Sequence, residues 1–595
     1  MRIVLILIVL AGASVATTAV ALTGDGSGAS AQAGPVSAFP APGTRTAQRG
    51  TEISLRGAEA GAIGTVTVTG SESGLQEGTL EPHPDGRGAS FVPSATFRPG
   101  ERVTVETALD VRGTSDGDFR FTVARGDFER PTRSSDRSVP RARKGTYHAY
   151  RSTSLKAPRL HISQRRGGRA PGYLVMNTGW DEDRPRPEGV LIADDRGRPV
   201  FFRQREAQTK MFDFEVQEYQ GRPVLTYWEG VFAAGWGYGE WVMLDESYRE
   251  VRRIRAMSGY RADIHDMRIT PEGTAVVMSY NAVRYDLRPV GGPRNGLVLD
   301  NVIQEIDLDS RRILFEWHSL GNIALAESRD RPERGQPFDY FHINSIDVGP
   351  DGDLLISARN TCAVYEIDRT TGAINWRLGG KRSDFRMSRS ARFCRQHDAR
   401  WYRRGEISIF DNHVDRIRDG GESRAIKLRV DERRKRARLL RGYKHPGELA
   451  AQNKGGARVL PNGNVIVGFG AVPVITEYTR TGRIVLNARF ARAGDGSYRA
   501  MRTPWVGRPA TDPDVAAQRR GGRTAVWASW NGATEVARWE VLGGDSPDAL
   551  ARVGSRGRTG FETAISVDAR PPYVAVRALD ADGTVLGTSR AVRAD

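Results

Sequence analysis

The chain has 595 residues, 39% of them hydrophobic, with 67 glycines and 30 prolines; it is too long for one ordinary core, and this composition favours many short strands and turns over long helices. Its formal charge of +17 rests on 80 arginines and only 8 lysines spread along the whole chain, which is a compositional bias rather than a basic patch. The densest run, DERRKRARLLR at 431–441, reads as a solvated hairpin, and with no nucleic-acid motif beside it no nucleic-acid partner is expected.

Residues 1–23 open with one arginine and an apolar run from Ile3, followed by small residues such as Ala19 and Ala21. This pattern reads as a signal peptide or, if uncleaved, an N-terminal anchor, the only membrane attachment expected. The protein is therefore expected to be secreted or otherwise extracytoplasmic, where Cys362 and Cys394 meet oxidising conditions. Residues 24–50 are rich in Gly, Ala, Ser and Pro and read as a flexible spacer. Across 51–126 the alternation in GTVTVTG and GDFRFTVARG predicts a small immunoglobulin-like β-sandwich, and 127–146 a polar linker.

From 147 to 595 short strands alternate with turns. The segments HDMRITPEGTAVVMSYN, HINSIDVGPDGDLLISARN, HDARWYRRGEISIFDNH and NKGGARVLPNGNVIVGFG superimpose on the turn glycines Gly273, Gly352, Gly405 and Gly463, spaced by 79, 53 and 58 residues. One propeller blade of about 40–45 residues plus insertions fits that spacing. Eight residues before the glycines stand His265, Asn344, His397 and Gly455; two further back, on the same strand face, stand Asp263, His342, Arg395 and Asn453. Seven after them stand Tyr280, Arg359, Asn412 and Gly470, returned by the hairpin to the level where its first strand began. Equivalent blade positions point at one axis, so His265, His342, His397, Asn344 and Arg359 are expected to converge at one end of a channel. The other histidines lack this register, although His413 follows Asn412 and is placed at the border.

A neutral imidazole serves as nucleophile or general base, and a nearby guanidinium disfavours its protonation. Arginine also presents a fork of donors suited to a tetrahedral oxyanion. Asp398 or a main-chain carbonyl is expected to fix the second nitrogen of His397. Such parts suit group transfer through a covalent imidazole intermediate.

FDYFHINSIDVGPDGDLLISARNTCAVYEIDRTTGAINWRLGG, followed by RFCRQHDARW, resembles the arylsulfotransferase family, exported enzymes that move a sulfuryl group between phenols without a nucleotide donor. The resemblance covers most of 147–540, including VWASWNGATEVARWEVL. It implies an all-β fold, a six-bladed propeller after a separate N-terminal β-domain, with its site in the channel mouth. It also implies that His397 becomes sulfated, that His342, Arg359 and Asn344 hold the sulfuryl oxygens, and that His265 lies near the phenolic oxygen. An aryl sulfate donor and a phenolic acceptor are the implied partners, with ping-pong kinetics and neither metal nor organic cofactor. Some members carry a disulfide near the site; Cys362, three residues past Arg359, and Cys394, three before His397, are the candidates here, with two buried thiols as the alternative.

Rival readings stay open. EIDRTTGAINW (366–376) and EIDLDSRRILFEW (305–317) resemble the tryptophan-docking repeat of quinoproteins, although inter-blade packing explains both. Three channel histidines could bind zinc or iron, against which Arg359 argues, and a propeller need not be an enzyme. The aromatic stretch 226–240, TYWEGVFAAGWGYGE, either stacks on an aryl ring or packs between blades. No motif encodes the oligomeric state, a homodimer included.

Overall fold

The computed structural model describes residues 34–125, 145–179, 188–206, 209–233, 235–413, 421–492 and 495–595. The expected signal peptide or anchor and nearly all of the expected linker lie outside them. Among the described residues the fold is all-β, with only short helical turns, and no helix is long and apolar enough to cross a membrane.

Two four-stranded sheets form the N-terminal part. One has the order Ser37–Phe39, Ile53–Arg56, Gly88–Pro93, Gly78–Pro82; the other runs Gly74–Leu75, Val66–Gly70, Arg102–Thr107, Phe119–Thr122. Alternate residues such as Leu55, Val68, Phe91, Val103 and Phe121 share one core. This unit begins earlier than the sequence reading placed it. Val36, Ala38 and Phe39 are buried, so residues assigned to a spacer instead supply an edge strand. The unit also docks on the outer strand Ile313–His318 of a later sheet, where Phe39 meets Phe315 at 5.1 Å between ring centroids. There the Glu52 carboxylate accepts from Ile313 N at 2.7 Å and from Arg312 at 2.8 Å.

Six sheets follow, each with an inner strand on a common axis. In chain order the inner strands of the second to sixth sheets are Lys210–Tyr219, Met267–Ile269, Ile343–Val348, His397–Arg403 and Gly456–Val459. Each packs on the next. The chain closes this ring twice. Ala500–Thr503, from its far end, is the inner strand of the first sheet beside Tyr173–Thr178, and Leu160–Arg165, from its beginning, is the outer strand of the last. The hairpin glycines that set the sequence register, Gly273, Gly352, Gly405 and Gly463, have φ of 81°, 91°, 69° and 82°. That left-handed conformation is why glycine recurs there. The tryptophans of the quinoprotein-like repeats are core residues: Trp376 packs on Phe385 and Trp401, and Trp317 on Phe341.

The ring does not reach the C-terminus. Residues 514–595 were read as part of it because their alternation is the same, yet they form two further sheets. Their own core contains Val526, Trp539, Val541, Ile565 and Val576. Asn531 fastens this unit to the edge of the first ring sheet: its amide accepts from Phe202 N at 2.9 Å and donates to Phe202 O at 3.0 Å, as a paired strand would.

Candidate active site

The repeat register brings the predicted residues together at the N-terminal ends of the inner strands. The His265 and His342 rings lie 4.9 Å apart, with the Tyr280 ring 5.6 Å from each. Arg359 lies across the hairpin from His342, its N–H donating to His342 O at 2.9 Å. His397 is 2% exposed and feels the charge of Arg359, His342 and His265.

The three imidazoles are anchored alike at Nδ1 and differ in what anchors them. His265 Nδ1 bonds Asp263 and His342 Nδ1 bonds Asp339, both very closely. An ionised carboxylate only accepts, so these Nδ1 atoms carry protons. His397 Nδ1 lies 2.7 Å from Asn412 Oδ1. The Asn412 amide nitrogen donates to Ala451 O at 3.0 Å and to Lys454 O at 2.9 Å, which fixes its oxygen toward the imidazole. Nδ1 of His397 is therefore protonated too, and Nε2 holds a lone pair. Nε2 receives only a long 3.3 Å contact from Lys454 N–H.

A carboxylate partner stabilises an imidazolium, whereas an amide does so far less. Burial, and after it the Arg359 guanidinium, holds His397 well below the usual histidine value, with His342 and His265 acting in the same direction. Burial also lowers His265, but there the Asp263 carboxylate opposes it. One imidazole is thus kept neutral, while two neighbours have partners suited to a transferred proton.

Around them lies a positive rim. Arg359 Nη1 donates to Asn360 Oδ1 at 2.8 Å, and Arg395 donates to the same oxygen at 2.8 Å. The remaining guanidinium donors of Arg359 have no partner among the described residues. Asn344 is fully buried, and its amide donates to Gln396 O at 2.7 Å. It thereby supports the strand entering His397 from behind, rather than turning that donor toward an anion as expected. Cys362 and Cys394 are bonded, with Cα atoms 4.4 Å apart. His342, Cys362, Arg395, Asp398, His413 and Lys454 all have φ between 53° and 61°. Left-handed non-glycine residues concentrate where a fold holds side chains in a required geometry, at roughly 1–3 kcal/mol each.

Below this level the channel is closed by charge. Asp213 and Glu215, Asp266 and Arg268, Asp347, Asp398 and Arg400, Arg458, and Arg499 lie on or directly before the inner strands, so every sheet contributes. Arg499 reaches Asp213 at 2.8 Å and Asp398 at 3.3 Å; Arg400 pairs closely with Asp266 and lies 2.8 Å from Asp398. Arg268 meets Glu215 at 3.0 Å and Arg458 meets Asp398 at 2.9 Å. Five carboxylates thus face four guanidiniums. Burial pushes Asp213 up to about 8 while the arginines hold Asp266 and Asp398 low. With a proton on Asp213 the two signs balance.

This arrangement revises one expectation: Asp398 belongs to the charged floor, and Asn412 is the group that fixes His397. The sequence reading gave Asn412 and Tyr280 a register but no task, and it missed Asp339, Asn360, Tyr498 and Arg499. Asp339 carried a signal, a carboxylate three residues before a register histidine. Tyr498 and Arg499 carried none, since the closing strand lies outside the aligned hairpins. Of the aromatic stretch, Trp228 is fully buried between sheets, whereas Trp236 stacks on Tyr280 beside the histidines at 6.4 Å. Among the described residues the only acid or histidine group close enough to share an ion is Asp213, Glu215 and Asp266, so the three histidines form no such set.

Solved structures similar to the chain include a protein of unknown function from Bacteroides caccae (13% identity, 56% of this chain and 98% of that one, TM-score 0.34). A virginiamycin B lyase from Staphylococcus aureus is also similar (9% identity, 63% and 97%, TM-score 0.30), as is an auxiliary nutrient binding protein from Bacteroides ovatus (12% identity, 80% and 90%, TM-score 0.28). Likenesses this distant carry no argument about activity. No curated protein matches the chain. The arylsulfotransferase family model matches residues 215–491, from the inner strand of the second ring sheet to the end of the sixth. With the site built from that segment, the ring-forming part of the chain belongs to the arylsulfotransferase family.

Proposed function

We propose that the protein transfers a sulfuryl group from an aryl sulfate ester to a phenolic acceptor through a sulfohistidine at His397, at the mouth of a six-bladed propeller preceded by an immunoglobulin-like sandwich. The observation that carries this reading is the difference in anchoring: His397 is tied to an amide, and its two neighbours to carboxylates. In the first half-reaction the Nε2 lone pair attacks sulfur, the bond from sulfur to the aryl oxygen breaks, and the aryl oxygen leaves as a phenolate that takes its proton from solvent. Arg359 meets the charge on the peripheral oxygens, where a loose transition state needs donors most. In the second half-reaction Nε2 of His265 takes the acceptor's proton, the phenolate oxygen attacks sulfur, the bond from sulfur to Nε2 of His397 breaks, and His265 then returns the proton to solvent. The aryl sulfate is already activated, so the chemistry calls for no nucleotide, metal or organic cofactor. A disulfide beside the site suits an extracytoplasmic location.

The test is release of a coloured phenol from its sulfate ester, with and without a second phenol. Acceptor-dependent turnover that is lost in His397→Ala and strongly reduced in Arg359→Ala is the expected result. Full activity in the His397 variant defeats the nucleophile assignment, and release that ignores the acceptor makes the protein a sulfatase.

A further inference from the structure

A cavity of about 590 Å³ opens between the fourth and fifth ring sheets beside the disulfide, and its described lining includes none of His265, His342 and His397. Among the described residues its lining includes Arg329, Arg392, Ser383, His413, Phe385 and Phe393, and no carboxylate. In a chain with 71 acidic residues that is unusual for a polar pocket. Another cavity, between the N-terminal sheets and the ring, is lined by Asp85, Glu272, Glu305, Asp307, Asp351 and Asp353 together with Arg56, Arg87 and Arg369.

Arg329 and Arg392 are exposed, and neither side chain has an ion-pair partner among the described residues. Two guanidiniums without an ion-pair partner among the described residues, sharing one lining with Phe385 and Phe393, suit a flat anion, and the volume lies in the range of small-molecule sites. The wall also connects to the chemistry. Cys394 lines the cavity and is bonded to Cys362, and Asp411 Oδ1 accepts from both Cys394 N and His413 N at 3.1 Å. Between Asp411 and His413 stands Asn412, whose side chain turns the other way and holds His397.

From this we infer that the cavity is a binding site for a small aromatic molecule bearing a sulfate, sulfonate or carboxylate, distinct from the catalytic pocket. It does not depend on the transferase reading, because it follows from the lining alone.

The probe is naphthalene-2-sulfonate, whose sulfur is bound to carbon and cannot be transferred. Calorimetric titration should be made on the full chain, on Arg329→Ala/Arg392→Ala, on Arg329→Lys/Arg392→Lys and on His397→Ala. Both arginines are exposed, so thermal unfolding should be unchanged in the double variants. Affinity is expected to fall about tenfold in the double alanine variant, as two exposed charge contacts would give. It should recover in the double lysine variant and stay within twofold of the parent in His397→Ala. Unchanged affinity in the double alanine variant, or loss confined to His397→Ala, overturns the inference. Since no turnover is measured, the outcome is independent of whether the protein transfers sulfuryl groups.

Discussion

Replacing Asp213 with asparagine should stabilise the ring, increasingly so as the pH rises. Asp213 sits fully inside the charged floor, its Oδ2 accepts from Arg499 at 2.8 Å, and its Oδ1 has no hydrogen-bond partner. An asparagine oxygen can keep the arginine bond, and its NH₂ falls where the protonated acid would carry its hydrogen. Burial pushes Asp213 up to about 8 from the ordinary 3.8. The folded protein therefore holds a proton that the unfolded chain releases, and stability is lost as the pH climbs from about 4 to about 8. The slope for one proton is about 1.4 kcal/mol per pH unit, or about 4 kcal/mol between pH 5 and 8. Asparagine removes that linkage. The ring runs from Leu160 to Thr503, and a unit of that length has an unfolding entropy of about 0.7 kcal/mol/K. The Tm of Asp213→Asn should accordingly gain about 5 °C on the parent between pH 5 and pH 8 in scanning calorimetry. A Tm difference that stays constant with pH, or a variant that loses ground as the pH rises, would refute the account of the floor as four ion pairs plus one proton.

Changing Asn412 tests the anchoring argument. Asn412→Leu should lower the rate of sulfuryl transfer by about 10²–10⁴-fold with little effect on donor KM, the scale of a histidine in the wrong tautomer; a loss under threefold would remove Asn412 from the mechanism. Asn412→Asp gives His397 a carboxylate and should move the acidic limb of the pH–rate profile upward. In the parent, His397 is held well below the usual histidine value, so pre-steady-state phenol release should remain undiminished as the pH falls through 6.5, and an inflection there would contradict the neutral nucleophile. The disulfide closes a loop with a sequence separation of 32. By chain entropy its removal in Cys362→Ser/Cys394→Ser should cost about 4 kcal/mol, seen as a lower Tm under non-reducing conditions, and an unchanged Tm would contradict that estimate.

The site was legible because glycine is needed wherever a hairpin turn demands positive φ. Four such glycines gave a common origin from which to count, and the counting brought His265, His342 and Arg359 to one place without regard to their neighbours in sequence. What lay off that grid stayed hidden. Arg499 could not be singled out among 80 arginines, although it touches three carboxylates of the floor. Asp398 looked like the partner of His397 because it is adjacent, but successive strand residues face opposite ways and its carboxylate turns to Arg458 and Arg400. The C-terminal sheets were absorbed into the ring for a related reason. Period-two alternation identifies a strand, not the sheet it joins.

The double clasp of the ring has a consequence for when the protein can become competent. Tyr498 and Arg499 directly precede the strand that completes the circle. Tyr498 stands 5.8 Å from the His265 ring, and Arg499 binds Asp213 across 286 positions of chain. Until the last segment has threaded home, the pocket lacks part of its wall and its floor. Catalysis, if measured during refolding, would serve as a clock for circularisation rather than for the assembly of any single sheet.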